Sequence, residues 1–127
     1  MTISNKKRIL VVDDESELTL LFSMALDGFV VDSFNDPLLA LSNFKEGYYD
    51  LVILDIIMPK MSGFVLHNEI TKIDDKVKVC FLTANEFSYY EEFRKEEFCA
   101  LDKNLFIAKP IQVDQFIKEI NRIMNSR

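Results

Sequence analysis

Two adjacent carboxylates, Asp13 and Asp14, follow the apolar run Ile9-Leu10-Val11-Val12, and a third, Asp55, follows Leu51-Val52-Ile53-Leu54. Uninterrupted apolar runs of this length read as strands buried on both faces, the mark of a parallel sheet. In open parallel α/β sheets, ligands sit just beyond the carboxyl ends of the strands. Acids at the ends of two neighbouring strands therefore share one crevice. Crowded carboxylates repel one another until a cation joins them, and an all-oxygen ligand set selects a hard divalent ion such as magnesium.

The elements that must hold these acids alternate along the chain. Strands are expected over 8–12, 29–34, 50–54, 77–82 and, more briefly, 105–108. Leu18, Leu21, Phe22 and Ala25 give a first helix with a core-facing stripe, closed by Gly28. Asp36-Pro37 is a cap followed by proline at the first helical position. It opens a helix expected to run to about Glu46, burying Leu38, Leu41 and Phe44 and ending at Gly47. Ser62 is the expected cap of a third helix. A fourth, rich in aromatic residues, spans about 85–98, and the last carries the stripe Val113, Phe116, Ile117, Ile120, Ile123 and Met124. Strand-then-helix alternation specifies a parallel sheet with right-handed crossovers and helices on both faces.

Bulk properties agree with one domain, 1–127, of ordinary globular composition: 49% apolar and 28% charged residues. A net charge of −6 argues against direct binding to nucleic acid, which needs a basic face. Cys80 and Cys99 form no metal-binding pattern and are expected to be free thiols, Cys80 as a buried hydrophobe in a strand. Neither a signal peptide nor a membrane-spanning run is present in the sequence, so a cytoplasmic location is expected.

Aligning the strand ends brings two more groups to the same edge: Thr83 at the end of Phe81-Leu82-Thr83, and Lys109 before Pro110. Each has an ordinary reading as well. Threonine is common in strands, Asp13-Asp14 can cap a turn, and a lysine before proline is usually a solvated loop charge. His67, beside Asn68 and Glu69, reads as a solvated or half-buried helix residue and receives no role.

The pieces Val11-Val12-Asp13-Asp14-Glu15, Asp55-Ile56-Ile57-Met58-Pro59 with Gly63, Leu82-Thr83-Ala84 and Lys109-Pro110 occur in this order over essentially the whole chain. In this the sequence resembles the receiver domain of two-component response regulators. The resemblance implies a doubly wound, five-stranded, flavodoxin-like (βα)5 sheet with strand order 2-1-3-4-5. It implies Asp55 as the phosphate acceptor, a carboxylate nucleophile that forms an acyl phosphate. Asp14 and Asp55, with the backbone carbonyl of Ile57, would hold magnesium, and Asp13 would act through water. Lys109 would offset phosphoryl charge, and Thr83 would donate to a phosphoryl oxygen.

The implied output is a two-state switch in which Thr83 moves inward and Phe106, at the place of the family's switch aromatic, fills the vacated space. A phenylalanine has no hydroxyl to bond outward, so packing alone would carry the signal. The implied output surface comprises the aromatic helix, strand five and the last helix. Here the chain departs from the family: 26 positions separate Thr83 from Lys109, a few more than expected. Phe87, Tyr89, Tyr90, Phe93 and Phe98 are either partner anchors or a locally buried cluster. Ile57 and Asn85 flank the path of a hydrolytic water; neither can act as a base, so a slowly decaying phosphoryl group is expected.

The implied partners are a sensor histidine kinase or phosphotransfer protein and a downstream protein or effector domain, with a monomer before phosphorylation and a dimer conceivable after it. The chain reads as a signalling switch, not an enzyme, either standing alone or as part of a longer regulator. The alternative is a receiver-like interaction scaffold that takes no phosphate. An acid-nucleophile phosphatase wants a second acid where Ile57 stands, and a flavin carrier wants a hydroxyl-rich loop where Asp13-Asp14-Glu15 stands.

Overall fold

A computed structural model describes residues 6–83 and 105–125. The expected aromatic helix at 85–98, Cys99 and Asn85 lie outside the described residues. The strands are β1 (Arg8–Val12), β2 (Val30–Phe34), β3 (Leu51–Asp55), β4 (Lys78–Thr83) and β5 (Phe106–Ala108). The helices are α1 (Ser16–Ala25), α2 (Pro37–Asn43), α3 (Gly63–Ile73) and α4 (Val113–Asn125). All neighbouring strands pair parallel in the order β2-β1-β3-β4-β5, as the resemblance implies.

Alternation along the central strands divides the core into two layers. Leu10, Val12, Val52, Leu54, Val79 and Phe81 face one side, where α2 and α3 contribute Ala40, Phe64, Leu66 and Ile70. Ile9, Val11, Leu51, Ile53, Cys80 and Leu82 face the other, against Phe22 and Leu26 of the α1 end and Phe116, Ile120 and Ile123 of α4. Covering both faces is what allows Ile9 to Val12 and Leu51 to Leu54 to be fully buried and wholly apolar. Cys80 is free and buried, as expected.

Two details of the helices correct the sequence reading. The Asp36 side chain does cap α2, accepting from the N–H of Leu38 at 2.9 Å, and Pro37 follows it. However, α2 ends at Asn43, short of Glu46, and Leu38 is 47% exposed. Phe44 is buried as expected, Leu41 is half-buried, and Pro37 and Ala40 take the remaining inner positions. Val113, at the start of α4, is also exposed; the buried stripe begins at Phe116. Ser62 caps α3 as expected, accepting from the N–H of Val65.

Candidate functional site

β1 and β3 are adjacent, so their carboxyl ends deliver the three acids to one place. Asp13 is still held by the sheet edge: its N–H donates to the Phe34 carbonyl at 3.2 Å, and Asn35 Nδ2 donates to its carbonyl at 2.8 Å. Its side chain is fully buried, and Oδ1 accepts from the Glu15 N–H at 2.9 Å. Asp14 is exposed at the mouth of the crevice. Asp55 closes β3, paired with Leu82 in β4 and only 4% exposed. One oxygen from each of the three carboxylates lies within 4.8 Å of the others.

Lys109 reaches this group from the far side of the sheet. Its N–H donates to the Thr83 carbonyl at 2.8 Å, which extends the β4–β5 ladder by one residue and sets the lysine at the carboxyl edge. The peptide between Lys109 and Pro110 is cis. The ammonium nitrogen stands 2.8 Å from Glu15 Oε1, 3.0 Å from Asp13 Oδ2 and 3.5 Å from Asp55 Oδ1, with the side chain 9% exposed.

Electrostatics follow from this crowding. Burial and the neighbouring Asp13 charge push the Asp55 carboxyl up to about 7, against the opposing pull of Lys109. Burial also raises Asp13, in spite of the Glu15 N–H and the Lys109 charge. For Lys109, burial disfavours the ammonium, but its ion pairs with Glu15 and Asp13 outweigh that and hold it protonated above its ordinary range. Asp13 Oδ2 is buried and, beyond the ion-pair contact with Lys109, has no hydrogen-bond partner. A buried oxygen short of partners, among acids that resist ionising together, fits a divalent cation. Among the described residues no other such acid group occurs.

Gly63 sets the floor of the site. Its N–H donates to the Ile56 carbonyl at 2.8 Å, and a β-carbon at this position would collide with the Asp55 carbonyl oxygen and sit 2.9 Å from its carbonyl carbon. The loop carrying Ile57 and Met58 can turn beneath Asp55 only because residue 63 has no side chain. Ile57 itself, two residues after Asp55, is 45% exposed. Thr83 ends β4 as expected. Phe106 is half-buried and stacks on Phe81, ring centroids 5.3 Å apart, with Phe64 at 6.1 Å. His67 is half-buried against Phe81, and burial lowers its pKa.

Two contributors escaped the sequence reading. In the sequence Glu15 is only a motif neighbour of Asp14, yet among the described residues it is the nearest carboxylate to Lys109. Asn35 holds the Asp13 carbonyl and also donates to Thr19 Oγ1 at 3.1 Å. Nothing in its local sequence signals this, because the contact spans the β2–α2 turn and the β1–α1 turn.

Residues 9–121 match the response regulator receiver domain. The chain belongs to this family. The receiver domain is 31% identical to chemotaxis protein CheY of Bacillus subtilis over 121 residues, covering 93% of this chain and 98% of that protein. It is 44% identical over 79 residues to the transcriptional regulatory protein CpxR homolog of Haemophilus influenzae, covering 61% of this chain but 34% of that protein. Against the sensor protein EvgS of Escherichia coli it covers 9% of that protein's length. The chain thus spans nearly the whole length of CheY and a minor part of the CpxR homolog and EvgS. Among solved structures, response regulator TrrA of Thermotoga maritima, in complex with magnesium and beryllium fluoride, is 34% identical with a TM-score of 0.74, covering 92% of this chain and 98% of that one. The non-phosphorylated receiver domain of HemR from Leptospira biflexa superposes with a TM-score of 0.81 at 29% identity, covering 96% of this chain and 97% of that one. Receiver domains are signalling modules that pair with histidine kinases and are not conventional enzymes. The receiver domain's acidic triad and Lys109 are consistent with a phosphoacceptor site, and among its described residues no helix is long and apolar enough to cross a membrane.

Proposed function

We propose that residues 1–127 form one receiver domain that takes a phosphoryl group from a histidine kinase or phosphotransfer protein onto Asp55. The supporting observation is the convergence of three carboxylates and one buried ammonium at the carboxyl ends of β1, β3 and β5. A carboxylate oxygen of Asp55 would form the new O–P bond as the P–N bond of a phosphohistidine breaks, and the departing imidazole would keep the electron pair and take up a proton. Attack by an anion on an anionic phosphoryl group is opposed by charge, so the site must supply positive potential in advance.

Asp14 and Asp55 and the carbonyl of Ile57 would hold magnesium, with Asp13 contributing through water. Bound there, the metal would neutralise both the carboxylates and the phosphoryl oxygens. Lys109 would turn its ammonium to a phosphoryl oxygen, a short movement from its position 3.5 Å from Asp55 Oδ1. Thr83, at the end of the adjoining strand, would donate its hydroxyl to another. Movement of Thr83 would free space for Phe106, which already rests on Phe81 in the strand beside it. The output would pass through β5, α4 and the preceding chain to a downstream protein or effector domain, and the free thiol of Cys80 accords with a cytoplasmic setting.

Binding of beryllofluoride, a phosphoryl mimic, in the presence of magnesium tests the reading. Amide NMR should show tight, metal-dependent binding that perturbs Asp55, Thr83, Phe106 and Lys109, and Asp55→Asn should abolish it. A protein that ignores the mimic but binds a partner constitutively would instead be the interaction scaffold.

A further inference from the structure

We infer that Glu15 is a positioning residue that gives the Lys109 ammonium a partner outside the three-acid group, so that metal binding and phosphoryl binding make opposite demands on that contact. Glu15 is the N-cap of α1, where Ser, Thr, Asp or Asn usually accepts a bond from the first turn. Its side chain makes no such bond; it reaches across to Lys109 Nζ at 2.8 Å. Its backbone serves the helix instead, the carbonyl accepting from Leu18 and Thr19 N–H. A lost cap bond at the rim of a site is a local cost that the contact with Lys109 explains.

The three acids around Lys109 are not equivalent. Asp13 and Asp55 belong to the group that fits a cation, whereas Glu15 does not. A divalent ion entering that group repels the ammonium from Asp13 and Asp55, and Glu15 gives it an alternative partner. Glu15 therefore favours metal entry. When a phosphoryl group arrives, Lys109 must leave Glu15 to meet it, so the same contact competes with phosphoryl binding. The Glu15 carboxylate is 56% exposed, which keeps the contact weak enough to release.

The second half of this inference rests on the phosphoacceptor reading; the first does not. Titration of magnesium alone, followed by amide NMR or calorimetry, should show Glu15→Gln weakening the metal about threefold, the scale of a partly exposed ion pair. In a Lys109→Met background the same substitution should leave metal affinity unchanged, because the ammonium that Glu15 partners is gone. At saturating magnesium, Glu15→Gln should tighten beryllofluoride by about threefold. Loss of a merely structural contact would weaken both ligands. Effects of the same sign, or a metal effect that persists without Lys109, would overturn the inference. Failure of the wild-type protein to bind beryllofluoride would defeat the phosphoacceptor reading instead, and the metal cycle would then decide the role of Glu15 by itself.

Discussion

Gly63 lies so close beneath Asp55 that a single methyl group on residue 63 would strike the Asp55 main-chain carbonyl. The obstacle is backbone in the central strand, which cannot swing aside as a side-chain tip would. Gly63→Ala should therefore destabilise the fold by about 2–3 kcal/mol, the range for overpacking against a rigid neighbour. Urea denaturation measures that loss. Magnesium titration of the folded fraction should show weaker binding as well, because Asp55 and the Ile57 carbonyl shift together.

Asp55 also gives the metal-free protein a definite dependence on pH. Its carboxyl titrates at about 7 in the fold and near 3.8 in the unfolded chain, so between these values the folded state binds the extra proton. Stability contributed by this group is therefore highest below pH 4, falls as pH rises toward 7, and is level above it. Asp55→Asn should be more stable than the wild type at pH 8 in EDTA by about 2–4 kcal/mol, and nearly equal to it at pH 4. Thermal melts of the two proteins at both pH values, with and without magnesium, check the sign. Added magnesium should raise the wild-type melting temperature and leave that of the variant almost unmoved.

Ile57 is exposed two residues after Asp55, and on the proposed reading it flanks the path by which water would approach an acyl phosphate there. An apolar side chain neither orients nor deprotonates that water, so the phosphoryl group should outlast a period of seconds in magnesium buffer. Ile57→Glu should shorten its lifetime about tenfold, short of the roughly 10²–10⁴-fold of a fully positioned base because the introduced carboxylate has no supporting contacts. Phosphate release from the phosphorylated protein gives both rates.

Cys80 should be chemically silent in the folded state. It is fully buried in β4, in the core layer shared with α1 and α4, and burial pushes its thiol up to about 12. Peptide-resolved labelling with a thiol reagent should modify Cys80 only at the rate of global unfolding.

Much of this was legible in the residues. The runs Ile9 to Val12 and Leu51 to Leu54 are apolar at every position because both faces of their strands are covered, and that pattern places the acids that follow. Asp55 itself still pairs in the sheet, with Leu82, which is why β3 ends one residue later than expected. Leu38 misled for a related reason. In Leu38-Leu39-Ala40-Leu41 apolar residues occupy both sides of a short helix, so periodicity cannot choose the buried one; packing chose Ala40. The roles of Glu15 and Asn35 depend on contacts across 94 and 22 positions of chain, and no local pattern carries such a signal.

The decisive measurement is peptide-resolved mass spectrometry after treatment with acetyl phosphate and magnesium. One phosphoryl mass should appear, on Asp55 and only with metal present, and Asp55→Asn should remove it. An unmodified Asp55 in folded, metal-supplied protein, or a phosphoryl group found on another residue, would contradict the assignment.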